Sequence, residues 1–320
     1  MHRYDVVIIG AGLSGIIAAQ KLKQSNYRVL LLEKGPRVGG RLATKKYSKG
    51  KADYGAQFFT VRSDELNQEV QGWLAKGWVK QWFGENYPRY TSIDGMQEFS
   101  RRLAVNLPLF LSRNVSYIND QGSHFLLGDE EGKVYESERV ICTMPAPQTL
   151  SLLANSSLCI EQSAQGALRM LTYEPTYVGL FQFDRPIVFP KNGHMNKKLL
   201  SGVERIVDHQ KKGISSEVIV SVYMTADWSV NHDGEKDILE LMREKTASYL
   251  DFHALVSQQL ETWRYAQSAD THPHPFLQLD KEARIFAAGD AFLRADDQTG
   301  RTRFESAFLS GYDIASHLRN

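Results

Sequence analysis

The stretch Tyr4-Asp5-Val6-Val7-Ile8-Ile9-Gly10-Ala11-Gly12-Leu13-Ser14-Gly15 decides the fold class. An apolar run ends in a turn that needs Gly10. Gly12 lets a backbone approach a pyrophosphate, and Gly15 lets the following helix pack closely on the sheet. The spacing predicts that helix from about Ser14 to Gln24, with Leu13 at its entry. Its N-terminal N–H groups and positive dipole end point at phosphate. A second strand, Arg28 to Leu32, ends in Glu33, eighteen residues after Gly15, with Lys34 beside it. The Glu33 carboxylate can accept both hydroxyls of a ribose, and it would repel a 2′-phosphate. Strand, glycines, helix and acid stand in register, so these residues are read as a dinucleotide site.

Further along come Gly39-Gly40-Arg41, then Asp53-Tyr54-Gly55-Ala56-Gln57-Phe58-Phe59-Thr60, and much later Phe286-Ala287-Ala288-Gly289-Asp290. Taken with the first stretch, the set argues that the dinucleotide is FAD. Arg41 supplies a fixed planar cation suited to a phosphate. Asp290 stands at a strand end, where a carboxylate can hold ribityl hydroxyls. A last helix from about Glu305, with Ser306 in its first turn, can turn its N–H groups on the flavin N1–C2=O edge.

The chain has 320 residues, of which 42% are hydrophobic, enough for one or two domains with a sizeable core. A net charge of +1 with no long basic run argues against a nucleic-acid partner. Cys142 and Cys159 are too few for a disulfide framework or a metal cluster, and no metal is expected; they are read as small buried residues of a reducing compartment. The apolar start is interrupted by Asp5 and three glycines, so it is read as the first strand and not as a leader peptide. No run of about 18 apolar residues suggests a membrane span, so a cytoplasmic protein is expected.

The blocks alternate. Strand, helix, strand and glycine-rich loop are followed by a helix from about Ser63 and another from Gly95 to Ala104. Short β-like runs follow at 114–118, 123–127 and 133–135, and a buried strand from Arg139 to Thr143. Between Gln148 and Leu279 the texture changes, with strands at 177–183, 217–223 and 259–265 around a helix at 235–249. A strand from Arg284 to Ala288 and a final helix from Glu305 to Leu318 restore the first texture. An α/β chain is predicted: a discontinuous Rossmann-type FAD domain of residues 1–70, 95–147 and 280–320, with an inserted α+β substrate domain of residues 71–94 and 148–279.

These motifs carry a specific resemblance. The chain resembles the amine-oxidase-type FAD oxidoreductases, whose fold is of the p-hydroxybenzoate hydroxylase kind, and within them the bacterial renalases. The carrying residues are Gly39-Gly40-Arg41-Leu42, Asp53 through Arg62, Thr143-Met144-Pro145-Ala146-Pro147-Gln148, Trp263-Arg264-Tyr265-Ala266 and Arg303 through Gly311. The resemblance implies that Arg41, Ala56 and Gln57 touch FAD and that the backbone of Val115 meets the adenine. It also implies a non-covalent cofactor, since neither cysteine lies in the C-terminal motif where covalent members carry theirs.

For activity, the resemblance implies oxidation of aberrant isomers of reduced NAD(P) to NAD(P)+, with O2 reoxidising the flavin to H2O2. There is no second Gly-x-Gly-x-x-Gly unit, so the nicotinamide enters as a substrate over the flavin. Its pocket is expected around Phe58, Phe59, Thr60, Val61, Arg62, Met96, Thr176, Trp263 and Arg303. No catalytic base is nominated, because a hydride leaving a ring that gains aromaticity needs none. Family members often carry His-Arg before the tryptophan, whereas here Glu261-Thr262 precedes Trp263. Two other readings stay open: another flavin oxidase or desaturase acting on an amine or isoprenoid, and an FAD-binding protein with little turnover. Amine oxidases usually keep a lysine near flavin N5. Lys191, Lys197 and Lys198, in a polar loop, have no motif around them.

Overall fold

The computed structural model describes residues 3–319, so residues 1, 2 and 320 of the expected cofactor-domain segments lie outside the described residues. Its first sheet grows from strand Arg3–Ile9, which pairs in parallel with Val29–Leu32 on one side and Val134–Cys142 on the other. Ile285–Ala287 adds in parallel beyond Val134–Cys142, and Leu109–Phe110 beyond Val29–Leu32. The short edge strand Leu277–Gln278 is antiparallel and joins this sheet from before residue 280, the expected domain boundary. Val115–Asp120 and Phe125–Asp129 form a meander that pairs with the first half of Val134–Cys142.

The apolar runs Val6–Ile9, Val29–Leu32 and Val140–Cys142 are buried on both faces, which is why they read as continuous rather than alternating. On one face Val6, Ile8, Leu31 and Ile141 meet Ile16, Leu22, Phe308 and Ile314. These come from helices Leu13–Gln24 and Phe304–Arg319. On the other face Val7, Ile9, Leu30 and Val140 meet Ile118, Phe125, Leu127 and Leu152. Each such side chain contributes about 1.5–3 kcal/mol, so this double-sided core holds the strand ends in place. The two helices touch at Gly311, where a Cβ would stand 2.3 Å from the Ser14 carbonyl oxygen.

Val134–Cys142 is one strand, not the two runs expected, because Glu136-Ser137-Glu138 breaks the apolar pattern without breaking the ladder. The hairpins Thr44–Lys46 with Lys51–Asp53 and Val79–Phe83 with Arg89–Ser92 had no sequence counterpart; their strands are short, and those of the first are rich in charge. Cys142 is buried in the core as expected, but Cys159 is exposed.

The second sheet is antiparallel, in the order His194–Met195, Val203–Asp208, Val218–Met224, Tyr173–Phe183, Leu255–Ser268. Val220, Val222 and Met224 face helix Ile238–Thr246. The opposite face, with Val178, Leu180, Ile219 and Tyr223, packs on Ala52, Tyr54 and Trp263. That face therefore looks toward the 53–57 segment of the first unit. No helix among the described residues is long and apolar enough to cross a membrane.

Candidate active site

At the carboxyl end of Arg3–Ile9 the chain turns sharply. Gly10 has φ +107°, and a Cβ there would lie 2.8 Å from Thr143 Oγ1. A Cβ on Gly15 would fall 2.1 Å from the Gly10 carbonyl oxygen, so helix and turn pack at a distance only glycine permits. Gly12 differs: a Cβ there meets nothing within 4 Å, and on Gly40 it meets only the Gly12 Cα, at 3.5 Å. These two backbones border open space. Helix Leu13–Gln24 begins at Gly12 without a side-chain cap, and the buried Ser14 Oγ has no hydrogen-bond partner among the described residues. Unopposed helix N–H groups, a waiting hydroxyl and room beside glycine fit a pyrophosphate.

The Glu33 carboxylate is fixed at the edge of this space. Its Oε2 accepts the Ala11 N–H at 2.8 Å and its Oε1 the Gly35 N–H at 2.7 Å. A carboxylate has about four acceptor sites, so each oxygen keeps a lone pair for a ribose hydroxyl. Lys34 is exposed beside it.

Arg41 and Asp290, nominated separately in the sequence and 249 residues apart, meet in a bidentate ion pair of 2.8 and 2.5 Å. Burial disfavours the Arg41 charge, but the Asp290 carboxylate outweighs it and raises the pKa above the usual value. Gly289 beside them donates its N–H to Ser310 Oγ at 2.8 Å, tying the turn to the last helix.

Other nominated side chains are committed elsewhere. Glu305, 1% exposed, accepts the N–H groups of Arg62 and Ser63, both at 2.7 Å, and so caps helix Asp64–Ala75. Ser306 Oγ accepts the Arg303 N–H at 2.9 Å. At this helix start the backbone N–H groups and Glu305 Oε2, which has no hydrogen-bond partner among the described residues, remain for a ligand. Val115 is buried at the head of its strand.

The 53–57 segment rests on a buried polar network that no motif announced. Asp53 Oδ1 accepts the Met96 N–H at 2.9 Å, and Oδ2 accepts Lys212 Nζ at 2.7 Å. Lys212, 1% exposed, also donates to Gln57 Oε1 at 2.9 Å. Gln57 Nε2 donates to the Asp53 carbonyl at 2.7 Å and meets the Tyr223 hydroxyl, which donates to the Gly55 carbonyl at 2.9 Å. Ser221 Oγ donates to the Asp53 carbonyl at 2.8 Å, and His209 Nε2 meets Ser221 Oγ. Burial lowers the Lys212 pKa, opposed by Asp53, and lowers that of His209 well below normal. The Gln57 side chain is thus a strut of this network. Ala56, half-buried, donates its N–H to the Arg41 carbonyl at 2.9 Å.

The expected substrate residues separate into two groups. Trp263 lies opposite Thr176 in the second sheet, stacks on Tyr54 at 5.5 Å and donates Nε1–H to the Tyr54 carbonyl at 2.8 Å. Phe58 adjoins the same face, since Arg205 Cζ lies 5.7 Å from the rings of both Phe58 and Tyr223. Phe59, by contrast, stacks on Phe304 at 4.2 Å within a core that also holds Met96 and Trp73. Arg303 is clamped by Asp297 through both terminal nitrogens, at 2.5 and 3.1 Å. Arg62 is exposed and donates to Thr60 Oγ1 at 2.7 Å, with Val61 half-buried beside it. Of the Glu261-Thr262 pair, Thr262 is exposed, while Glu261 lies 3.6 Å from Lys45.

The sequence pattern of NAD(P)-binding Rossmann-like domains matches residues 8–75, and that of flavin containing amine oxidoreductases matches residues 66–318. The renalase of Mus musculus is 27% identical over 332 aligned positions, covering 91% of this chain and 94% of its own. The nicotine dehydrogenase of Pseudomonas putida (strain DSM 28022 / S16) is 40% identical over 68 residues, 21% of this chain and 14% of its own. A solved chain from Exiguobacterium sp. 255-15, named as a protoporphyrinogen oxidase, superposes with a TM-score of 0.68 at 12% identity, covering 99% of this chain and 98% of its own.

Proposed function

The chain belongs to the flavin containing amine oxidoreductases and is an FAD-dependent oxidoreductase, and from that premise we propose that it oxidises isomers of dihydro-NAD(P) whose hydride sits at the wrong ring carbon. The products are NAD(P)+ and, with O2 as acceptor, H2O2. The observation that carries this reading is the likeness to renalase, which runs through both sheets, whereas the nicotine dehydrogenase shares one short span.

We assign the pyrophosphate to Gly10, Gly12, Leu13, Ser14 and Gly15, the ribose to Glu33, and the flavin side to Gly40, Arg41, Ala56, Gly289, Asp290 and the helix start at Glu305 and Ser306. Gln57 acts from behind, through the Lys212 network. Bound FAD supplies the two-electron acceptor. The protein's part is orientation: Thr176, Trp263 and Phe58 hold the ring and exclude water. Alignment of that kind is worth about 7–11 kcal/mol of barrier. Hydride loss creates an aromatic pyridinium, so no side chain has to remove a proton. Cys142 is buried with its thiol pushed up to about 12, and Cys159 is on the surface, which supports a non-covalent cofactor and a cytoplasmic site. We propose a division into residues 1–70, 95–147 and 280–320 against 71–94 and 148–279, with strand Leu277–Gln278, which pairs in the first sheet, moved to the cofactor unit.

A second reading, oxidation of an amine, draws on Lys212, a buried cation held against Gln57. Anaerobic mixing separates the two. Partly isomerised NADH is expected to bleach the flavin within seconds, with pure β-NADH far slower and amines inert. Equal rates with both NADH samples, or bleaching by amines alone, would overturn the proposal.

A further inference from the structure

The register of the second sheet sets a row of side chains across the face that looks toward residues 53–57. Val178 pairs with Glu261 on one side and with Tyr223 on the other, and Tyr223 pairs with Arg205. One step along, Ser221 pairs with Val207, and Val207 with His194. Trp263 and Thr176 lie at the Glu261 end of this face. At the Arg205 end stands an aromatic group: Phe83 and His194 stack at 5.0 Å, and Phe58 lies 5.6 Å from Phe83 and 6.2 Å from Trp82.

The charge around these rings is one-sided. Besides Arg205 over Phe58, Lys212 Nζ lies 4.8 Å from the Trp82 ring centre and Arg89 Cζ 5.7 Å from that of Phe83. Asp53 holds Lys212 from behind, and half-exposed Glu204 meets Arg205 at 2.6 Å. Two polar atoms here lack any partner among the described residues, the buried Nε of Arg205 and the Nε2 of His194, a residue only 8% exposed. Burial and then the three cations, Arg205 foremost, bring the His194 pKa down to about 4, so the imidazole itself senses a positive field. A buried guanidinium N–H without an acceptor, beside planar rings and a ring nitrogen that donates in one tautomer, is what a bound anion on a flat molecule would satisfy.

We propose that Arg205, with the rings of Phe58 and Trp82 and the Nε2 of His194, binds the phosphate of a substrate that carries a flat ring and sets specificity for phosphate-bearing over uncharged nicotinamides. This rests on the reaction proposed above for the identity of the ring, though not for the anion site. Arg205 is placed as a specificity residue: it selects the substrate and takes no part in hydride transfer. The guanidinium suits phosphate in particular, since it offers paired planar donors and stacks on aromatic faces.

The test uses the flavin-loaded protein and follows perturbation of its visible spectrum. Wild type is expected to bind phenyl phosphate more than tenfold tighter than phenol, and Arg205→Met to erase that preference while keeping phenol affinity and flavin content. Arg205→Lys should keep part of it. Glu204→Gln, a surface change that frees Arg205 from its carboxylate, should tighten phenyl phosphate several-fold and decides the matter if Arg205→Met fails to fold. In turnover, isomerised reduced nicotinamide mononucleotide should lose at least tenfold in kcat/KM in Arg205→Met, mostly through KM, with the matching riboside changed less than twofold. Phenyl phosphate binding unaffected by both variants, or loss of phosphate and phenol in equal measure, would refute the site. Phosphate selectivity through Arg205 in a protein that oxidises no dihydronicotinamide would leave the site standing and remove the reaction.

Discussion

Replacing Lys212 by Met tests whether the 53–57 segment hangs on a buried charge. Both side chains of the Lys212–Asp53 pair are fully shielded, and they meet at 2.7 Å. Methionine fills nearly the same volume, so packing is largely kept and the ammonium alone is lost. Asp53 then retains the Thr44 hydroxyl and the Met96 N–H but faces no cation, and Gln57 Oε1 loses its donor. Breaking a buried pair from one side costs about 3–5 kcal/mol, a large share of a total stability of about 5–15 kcal/mol. An unfolding entropy of about 2.1 cal/mol/K per residue amounts to roughly 0.7 kcal/mol/K here, so Tm should fall by about 6 °C. Removing both charges in Lys212→Met/Asp53→Asn should restore more than half of the loss. Urea unfolding, followed by far-UV circular dichroism and flavin fluorescence, measures each variant. A single variant costing under about 1 kcal/mol, or a double variant no better than the single, would refute a buried ion pair as the support of this segment.

Two glycines should separate folding from cofactor binding. Gly12→Ala places its methyl in open space and should leave the flavin-free protein as stable as wild type while abolishing FAD retention after dialysis; full retention would remove Gly12 from the cradle. Gly15→Ala, with its methyl 2.1 Å from a carbonyl oxygen, should lower the stability of the flavin-free protein itself. For acid behaviour, His194 is depressed from 6.5 to about 4 by burial and then by the nearby cations, and His209 is lowered in the same direction. The unfolded chain then binds protons that the folded one refuses, so stability is full above about pH 6.5 and falls toward pH 4. His194 accounts for at most about 3 kcal/mol of that fall, and His194→Gln should flatten it; an identical slope in unfolding free energy between pH 6.5 and 4.5 would refute this.

What was legible in the sequence was whatever a local spacing encodes. Gly10, Gly12, Gly15 and Glu33 stand in a fixed order along one strand, turn and helix, and the structure keeps that order. Arg41 and Asp290 were each legible from a short motif, although nothing local said that they would pair. Lys212, His209, Tyr223 and Arg205 were not legible, because their setting depends on partners such as Asp53, 159 residues away. Lys212 sits among polar neighbours that resemble any surface turn, and only the packing of the second sheet on the first shows it buried. Adjacent residues of an extended segment point to opposite sides, which is why Phe58 reaches Arg205 on the second sheet while Phe59 enters the core. Arg303 had the right motif but also a local clamp in Asp297, six residues before it.

The neighbour relations of the first sheet also order events in time. Strand Arg3–Ile9 receives its central partner only when residues 134–142 exist, and the next layer only when residues 285–287 have left the ribosome. Until then Arg41 faces the nascent chain without Asp290, and the glycine turn lacks the last helix that docks at Gly311. The second sheet, by contrast, draws its strands from one uninterrupted span, 173–268, and can gather while the first waits. Such distant pairings slow assembly and leave apolar edges bare in the interval. Flavin supply then acts as a late-stage ligand, drawing the newly closed sheet out of that exposed ensemble by mass action.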